Sequence, residues 1–201
     1  MAGDEAGVRD GGESAETCAA LLRAEIERLK TELIRTEQRI AELEARADVD
    51  PLLDILNRRG FDRELTRSLS YVNRYSIEAA LLFIDLDGFK AVNDRYGHAV
   101  GDALLKAVVG ALKRHVRASD IVARLGGDEF AVLMWNLNAA RADAKARELE
   151  SIIAATEIAH ASGRLSVGAS VGSVMLSSEA TPPTILEAAD RAMYSRKKER
   201  R

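Results

Sequence analysis

Small and aliphatic residues recur at alternating spacings of three and four along residues 15–47, a segment without proline or glycine. This is the heptad spacing of a coiled coil, and here isoleucine dominates one seam position and leucine the other, which favours two parallel helices. The pattern predicts a dimerising coiled-coil helix over residues 14–47, after a flexible N-terminus at residues 1–13. The seam positions are Ala15, Ala19, Leu22, Ile26, Leu29, Leu33, Thr36, Ile40, Leu43 and Ala47.

The alternative for this segment is a single amphipathic helix packed on its own domain. Both outer faces of the predicted helix are charged, whereas a helix lying on a globular domain usually carries a wider apolar stripe. Most flanking charges suit a parallel pair, since Glu25 would face the partner's Lys30, although Glu32 against Glu37 would be repulsive. The coiled coil is therefore favoured.

The helical pattern ends at residues 48–51, because Pro51 disfavours a helical conformation in the residue before it. Helical and strand-like patterns then alternate, with a tight turn at Gly126 and Gly127. Interleaved elements of this kind predict one α/β (α+β) domain with a mixed sheet over residues 48–201. Helices are expected at residues 60–75, 89–94, 102–116, 139–155 and 183–198, and strands at residues 79–85, 121–125 and 129–134. Residues 165–176 are expected to be strand-like with two or three interruptions at small residues.

Composition limits the kinds of protein that this chain can be. The 201 residues are 47% hydrophobic and 30% charged, which provides a packed core and excludes wholesale disorder. A net charge of −3 argues against binding of nucleic acid or an acidic membrane through bulk charge. Any phosphate that the protein binds must then be neutralised locally.

Signals for secretion or membrane insertion are not expected from the sequence. The first residues lack a basic stretch followed by an apolar one, and no apolar run approaches the roughly 20 residues of a membrane span. The only cysteine, Cys18, excludes an internal disulfide and suits a reducing compartment. These features predict a cytoplasmic protein.

Two carboxylates follow the apolar strand predicted at residues 79–85. Asp85 and Asp87 are two positions apart, so both side chains should project on the same side, and Gly88 then opens a turn into a helix. Magnesium is usually held by one or two such carboxylates together with substrate phosphates and water. The alternative is that the pair serves only as caps or turn residues.

A second acidic pair, Asp128 and Glu129, follows Gly126 and Gly127 at the tip of the predicted hairpin. Two glycines remove side chains, so that a flat ligand could lie against the backbone. An ordinary hairpin is the alternative, because Gly-Gly is a common turn and aspartate is a common neighbour. Two strands of one sheet that each present acids at a turn can, however, share a metal ion.

These residues resemble a known family. Gly126-Gly127-Asp128-Glu129-Phe130 is the pentapeptide after which the GGDEF domains are named, and three further motifs of that family lie in the right order at residues 85–94, 97–102 and 189–194. The resemblance implies a mixed sheet like the palm of nucleotide cyclases and polymerases. It also implies a diguanylate cyclase, a nucleotidyltransferase that condenses two GTP into cyclic di-GMP and releases two pyrophosphates.

By this resemblance, Mg²⁺ or Mn²⁺ would be held by Asp85, Asp128 and the backbone carbonyl of Leu86, with Glu129 assisting. Asp128 would also be the base that takes the proton of the ribose 3′-hydroxyl, and Lys90 would act at the triphosphate. The catalytic set implied is Asp128, Glu129 and Lys90.

The resemblance also implies a substrate site for GTP. Asn93 and Asp102 would bind the guanine edge, and Lys90, Lys197 and Arg201 would neutralise the β- and γ-phosphates. The alternatives are purely structural: Asn93 and Asp102 could cap helices, and Lys197 and Arg201 could belong to a frayed basic tail. The full substrate-binding set implied is Phe89, Lys90, Asn93, Asp102, Gly127, Lys197 and Arg201.

Arg117 and Asp120 fit the Arg-x-x-Asp pattern that the family uses as an inhibitory product site, at the family's distance before Gly126. Arginine can bind the O6/N7 edge of guanine with two hydrogen bonds, and an aspartate can accept from the opposite edge. Arg147 is the candidate for a third contact. Cyclic di-GMP is thus expected both as product and as inhibitor.

One departure from the family concerns its usual opening, Asp-x-Leu-Thr-Gly-Leu-x-Asn-Arg. In residues 50–58, Leu53 and Asp54 replace the Thr-Gly pair and are expected to alter the turn that leads into the domain. No expected metal or substrate contact is affected by this change.

Three functions remain to be compared. An active cyclase needs two domains face to face, which the coiled coil would supply as a homodimer. The alternatives are a silent receptor for GTP or cyclic di-GMP, and a scaffold in which only the coil matters. Intact metal and guanine motifs favour the enzyme over the receptor, and a scaffold would leave both acidic turns unexplained.

Overall fold

The structure is a computed structural model that describes residues 21–36, 48–177 and 179–199. They belong to two units, one within Met1–Arg46 and the other within Ala47–Arg201. In the first unit, residues 21–36 form helix α1, and all of them are exposed. The seam positions predicted at residues 15, 19, 40, 43 and 47, and Arg201, lie outside the described residues.

The second unit has an α/β fold. Its elements, in chain order, are β1 (Leu56–Asn57), α2 (Arg58–Tyr75), β2 (Ala79–Asp87), α3 (Phe89–Tyr96), α4 (His98–His115), β3 (Ile121–Arg124), β4 (Glu129–Trp135), α5 (Ala139–Ala154), β5 (Ile158–His160), β6 (Gly163–Leu165), β7 (Gly168–Met175) and α6 (Pro182–Glu199).

The described strands form a mixed five-stranded sheet in the order β1-β3-β4-β2-β7, beside a small β5-β6 ribbon. β1 is parallel to β3, and β2 is antiparallel to both β4 and β7. Alternate side chains of β2 face opposite sides, so Leu82 and Ile84 pack with α4 and α5, while Leu81 and Phe83 pack with α2 and α6. The mixed sheet flanked by helices is confirmed, with the ends of β2 and β4 at its centre.

Two predicted elements differ from the structure by three or more residues at their first residue. α4 begins at His98, not at residue 102, with Gly97 as a cap that makes no side-chain hydrogen bond. Asp102 therefore lies inside the helix, and the alternative that it caps the helix is wrong. The strand-like segment predicted at residues 165–176 with small-residue interruptions begins as β7 only at Gly168, and Leu165 belongs to the β5-β6 ribbon.

The departure at Leu53 and Asp54 leaves a well-formed turn. Asp54 has a φ of 51°, in the left-handed region where the family usually has glycine. Aspartate tolerates this region better than most residues. Asp50 completes the turn, since its Oδ1 accepts from the N–H groups of Leu52 and Leu53, each at 2.9 Å.

The packing of α6 on β7 depends on Gly172. A Cβ at this position would lie 2.6 Å from the carbonyl oxygen of Ala189 and 2.7 Å from Cα of Met193, both in the backbone of α6. We expect Gly172→Ala to lower the free energy of unfolding by about 2–3 kcal/mol, measured by urea denaturation.

Gly110→Ala is the matched control for Gly172→Ala. A Cβ at Gly110 would meet only the flexible Nη1 of Arg114, at 3.4 Å, so this change within α4 should raise the free energy of unfolding by about 0.5–1 kcal/mol. Equal effects of the two variants would contradict the close approach of α6 to β7.

Candidate active site

The two acidic clusters predicted from the sequence meet in the structure. Asp85 and Glu129 are directly opposite each other in the β2-β4 register. The backbone carbonyl of Asp128 accepts from the N–H of Leu86 at 3.1 Å, which ties the hairpin tip to the end of β2. Antiparallel pairing therefore places the carboxyl-bearing end of β2 beside the start of β4.

Lys197 reaches this acidic end from α6. Its ammonium group forms an ion pair with Asp85 and lies 3.8 Å from Oδ1 of Asp87, so both aspartates project on the α6 side of the sheet, as their spacing predicts. The Oδ1 atom of Asp87 also accepts from the hydroxyl of Ser170 on β7, at 3.0 Å. One cation thus bridges the two carboxylates.

Glu129 lies in a partly buried, crowded environment. Burial raises the pKa of its carboxyl above the ordinary value, Arg58 opposes this rise, and the negative charges of Asp85, Asp128 and Asp190 add to it. Gly126 leaves room for the Glu129 side chain, because a Cβ there would lie 2.7 Å from Oε2 of Glu129. A side chain at position 126 would therefore require the Glu129 carboxylate to move from its present position.

The donor set is suited to a divalent cation. Asp85, Asp128 and Glu129 offer hard oxygen ligands, and a cation among them would relieve the repulsion that raises the pKa of Glu129. Within the described part of the chain, no group of three His, Cys, Asp or Glu side chains is already arranged around a metal position. The residues fit Mg²⁺ or Mn²⁺ chemically.

A second polar feature lies between α3 and α4. The Oδ1 atom of Asn93 is buried and has no hydrogen-bond partner among the described residues. Gly101 allows Asn93 to approach α4, since a Cβ there would be 3.0 Å from Cγ of Asn93 and 3.2 Å from Cζ of the buried Phe89. An unpaired buried amide oxygen is costly, and a ligand with N–H groups would satisfy it. Asp102 is the next residue on α4.

The cleft between α6 and the ends of β2 and β4 contains charges of both signs. The sequence motif at residues 189–194 did not predict that Asp190 would be near Glu129, because α6 packs on β7 only in the folded domain. Lys90 is exposed on the first turn of α3, and Gly127 is exposed at the hairpin tip. The cleft is lined by Asp85, Glu129, Asp190, Met193, Tyr194, Lys197 and Lys198.

The expected product site occupies the other end of the sheet. Asp120 Oδ2 accepts from the backbone N–H of Arg117 at 2.8 Å, and Oδ1 is buried without a partner among the described residues. A cavity of about 260 Å³ beside them is also lined by Arg141 and Lys145 of α5. Arg147 is exposed and does not line this cavity. The sequence reasoning missed Arg141 and Lys145.

Comparison with known proteins agrees with the fold and the motifs. The family model "Diguanylate cyclase, GGDEF domain" matches residues 47–201. The chain is 39% identical over 204 residues to diguanylate cyclase TpbB of Pseudomonas aeruginosa, an alignment that covers 98% of this chain and 45% of TpbB. The chain therefore belongs to the GGDEF-domain family of diguanylate cyclases. It spans about half the length of the curated relatives that it matches first.

Solved structures show the same architecture. The GGDEF domain of TpbB superposes with a TM-score of 0.69 at 39% identity, covering 75% of this chain and 89% of that one. The coiled coil and GGDEF domain of DgcB from Caulobacter crescentus, solved with c-di-GMP, superposes with a TM-score of 0.74, covering 89% and 95%. At 24% identity, the latter shows the fold alone. Among the described residues, no helix combines the length and apolarity of a membrane span.

Proposed function

We propose that this protein is a cytoplasmic diguanylate cyclase that condenses two GTP into cyclic di-GMP with release of two pyrophosphates. The observation that carries the proposal is the pairing of Asp85 with Glu129 at the adjoining ends of β2 and β4, with Lys197 of α6 bound to Asp85. Two strand ends thus bring carboxylates and a cation to one cleft.

Asp85, Asp128, Glu129 and the backbone carbonyl of Leu86 would hold Mg²⁺ or Mn²⁺. The ion would supply charge stabilisation at the triphosphate of the substrate. Asp128 takes the proton of the ribose 3′-hydroxyl that attacks the α-phosphorus of the second GTP. Lys197 exchanges its partner Asp85 for a substrate phosphate, with Lys90 and Arg201 binding the same triphosphate.

Asn93 and Asp102 give the site its preference for guanine. The carboxylate of Asp102 accepts from N1–H and the 2-amino group, and adenine offers no matching donors. The buried Oδ1 of Asn93 supplies a further acceptor. Phe89 packs below this subsite, and Gly127 leaves the hairpin tip open to the nucleotide.

Each domain binds one GTP, so formation of both phosphodiester bonds requires a homodimer. The described part of α1 supports a parallel coiled coil, since its seam residues Leu22, Ile26, Leu29 and Leu33 are 50–60% exposed in the single chain. Burying such a stripe against a second copy removes apolar surface from water and raises the effective concentration of the partner domain.

Feedback by the product would act at Arg117 and Asp120. The cavity beside them is also lined by Arg141 and Lys145, and the ammonium group of Lys145 is 2.7 Å from Oε1 of Glu148 in the same lining. Arg141 would bind a phosphate of cyclic di-GMP, and Lys145 would exchange Glu148 for the other phosphate. Arg147 was the third contact expected from the family pattern, and Arg141 is the better-placed arginine.

Incubation of the purified protein with Mg²⁺ and either GTP or ATP tests the proposed activity. We expect cyclic di-GMP from GTP and no cyclic product from ATP. If the protein binds GTP but leaves it unconverted, it is a receptor and not an enzyme.

Arg117→Ala should relieve product inhibition. The variant loses charge-assisted hydrogen bonds to guanine. The half-inhibitory concentration of cyclic di-GMP should therefore rise by about tenfold or more, with the initial rate unchanged. Progress curves with and without added cyclic di-GMP measure this. The control is Arg164→Ala, which removes an exposed arginine on β6. If the progress curves of Arg117→Ala and Arg164→Ala are identical, Arg117 does not belong to an inhibitory product site.

A further inference from the structure

The carbonyl groups at the tip of the β3-β4 hairpin are held by arginine side chains. Nε of Arg124 donates to the carbonyl oxygens of Gly126 and Gly127 at 3.0 and 3.2 Å, and Nη2 donates to Gly127 at 2.8 Å. Nε of Arg58 donates to the carbonyl of Leu125 at 3.1 Å. Three successive peptide carbonyls are therefore directed at guanidinium groups.

Arg124 is itself fixed by the first turn of the domain. Its Nη1 donates to Oδ2 of Asp50 at 3.1 Å, and the two side chains are only 19% and 14% exposed. The other oxygen of Asp50 is occupied by the N–H groups of Leu52 and Leu53. The turn that opens the domain thus sets the position of the guanidinium group under the hairpin.

The orientation of the carbonyls determines where the N–H groups of the hairpin point. The chain contains no cis peptide bond among its described residues, so the N–H of Gly127 lies opposite the carbonyl of Gly126, and the N–H of Asp128 lies opposite that of Gly127. Both N–H groups are thus turned away from Arg124. In the described part of the chain neither has an acceptor, whereas those of Leu125 and Gly126 donate to the Glu129 carbonyl.

We propose that Arg124 is a positioning residue that aims the N–H groups of Gly127 and Asp128 at a phosphate of the bound nucleotide, and that Asp50 holds it there. Adjacent N–H groups form a concave donor pair for anions, and a cation on the carbonyl side polarises both peptides in the favourable direction. The guanidinium group is suited to this role because its planar fork can bind both glycine carbonyls and a carboxylate at once. This inference rests on the proposed function.

Binding of two probes to Arg124→Ala separates positioning from structural damage. The probe 3′-deoxy-GTP has the triphosphate but no attacking hydroxyl, and guanosine has no phosphate. We expect 3′-deoxy-GTP to bind about tenfold more weakly than to the wild type, and guanosine to bind within twofold. Calorimetry in the presence of Mg²⁺ measures both, and thermal unfolding checks that the domain is intact.

Two further variants complete the test. Arg124→Lys keeps the positive charge but not the planar guanidinium group, so its loss of affinity for 3′-deoxy-GTP should be intermediate. Its KM for GTP should rise in parallel, because the lost contact is already made to the bound substrate. Arg67→Ala removes an exposed arginine of α2 and should behave as the wild type. Equal losses for both probes, or no loss for either, in Arg124→Ala and Arg124→Lys would overturn the positioning role.

The proposed function can fail separately from this inference. If the wild-type protein converts no GTP and does not distinguish guanosine from adenosine, the cyclase assignment fails whatever the variants do. If the wild-type protein makes cyclic di-GMP while Arg124→Ala binds 3′-deoxy-GTP normally, only the role of Arg124 is lost.

Discussion

Asp128→Asn will lower the rate of cyclic di-GMP formation by at least about 10²-fold, because it removes both a negative charge and a proton acceptor where the reaction develops charge. The change is nearly isosteric. The backbone carbonyl of Asp128, which accepts from Leu86, is retained, so the hairpin should stay tied to β2. Initial rates under saturating GTP and Mg²⁺ give the size of the loss.

Two measurements distinguish this chemical loss from unfolding. Asp62→Asn on α2 removes a carboxylate outside the cleft and should leave the rate unchanged. Binding of Mn²⁺, followed by electron paramagnetic resonance, should weaken in Asp128→Asn and not in Asp62→Asn. If Asp128→Asn retains the wild-type rate, the hairpin acids do not perform the chemistry.

Leu29→Pro will make the specific activity depend steeply on protein concentration. A proline inside a helix costs about 3 kcal/mol, and here it also removes a seam leucine that is 51% exposed in the single chain. Two such losses in a dimer should shift the monomer–dimer equilibrium far toward monomers at micromolar concentration. Light scattering gives the molar mass, and rates across a dilution series give the activity.

Leu29→Met is the control for the coil, since it keeps an apolar side chain of similar volume and a good helix former. It should remain dimeric with a specific activity independent of concentration. A fully active Leu29→Pro dimer would show that another surface joins the two copies. Full activity of a monomer at high dilution would contradict the claim that catalysis requires a dimer.

The sequence predicted the centre of the fold well because β2 has an unambiguous pattern. An apolar run from Ala79 to Ile84 that ends in two aspartates is typical of a buried strand, and the structure extends it only to Asp87. The start of α4 was missed because Gly97 provides no side-chain cap and the first turn contains no acidic residue. The three-residue strands β5 and β6 are too short to show an alternating pattern.

Sequence motifs predicted many residues of the candidate site. The other residues reach the site only through tertiary packing. Asp190 is near Glu129 only because α6 packs across β2 and β7. Arg124 and Asp50 are 74 residues apart, and no local pattern indicates that they form an ion pair beneath the hairpin. Arg141 and Lys145 likewise come to Arg117 through the packing of α5, which a helical pattern does not specify.

The most direct test of the cyclase assignment is the stoichiometry of the reaction of the purified protein with GTP and Mg²⁺. Chromatography of the nucleotides and an enzymatic assay of pyrophosphate follow both products in one sample. We predict one cyclic di-GMP and two pyrophosphates for every two GTP consumed. Unchanged GTP at concentrations where light scattering shows a dimer would contradict it.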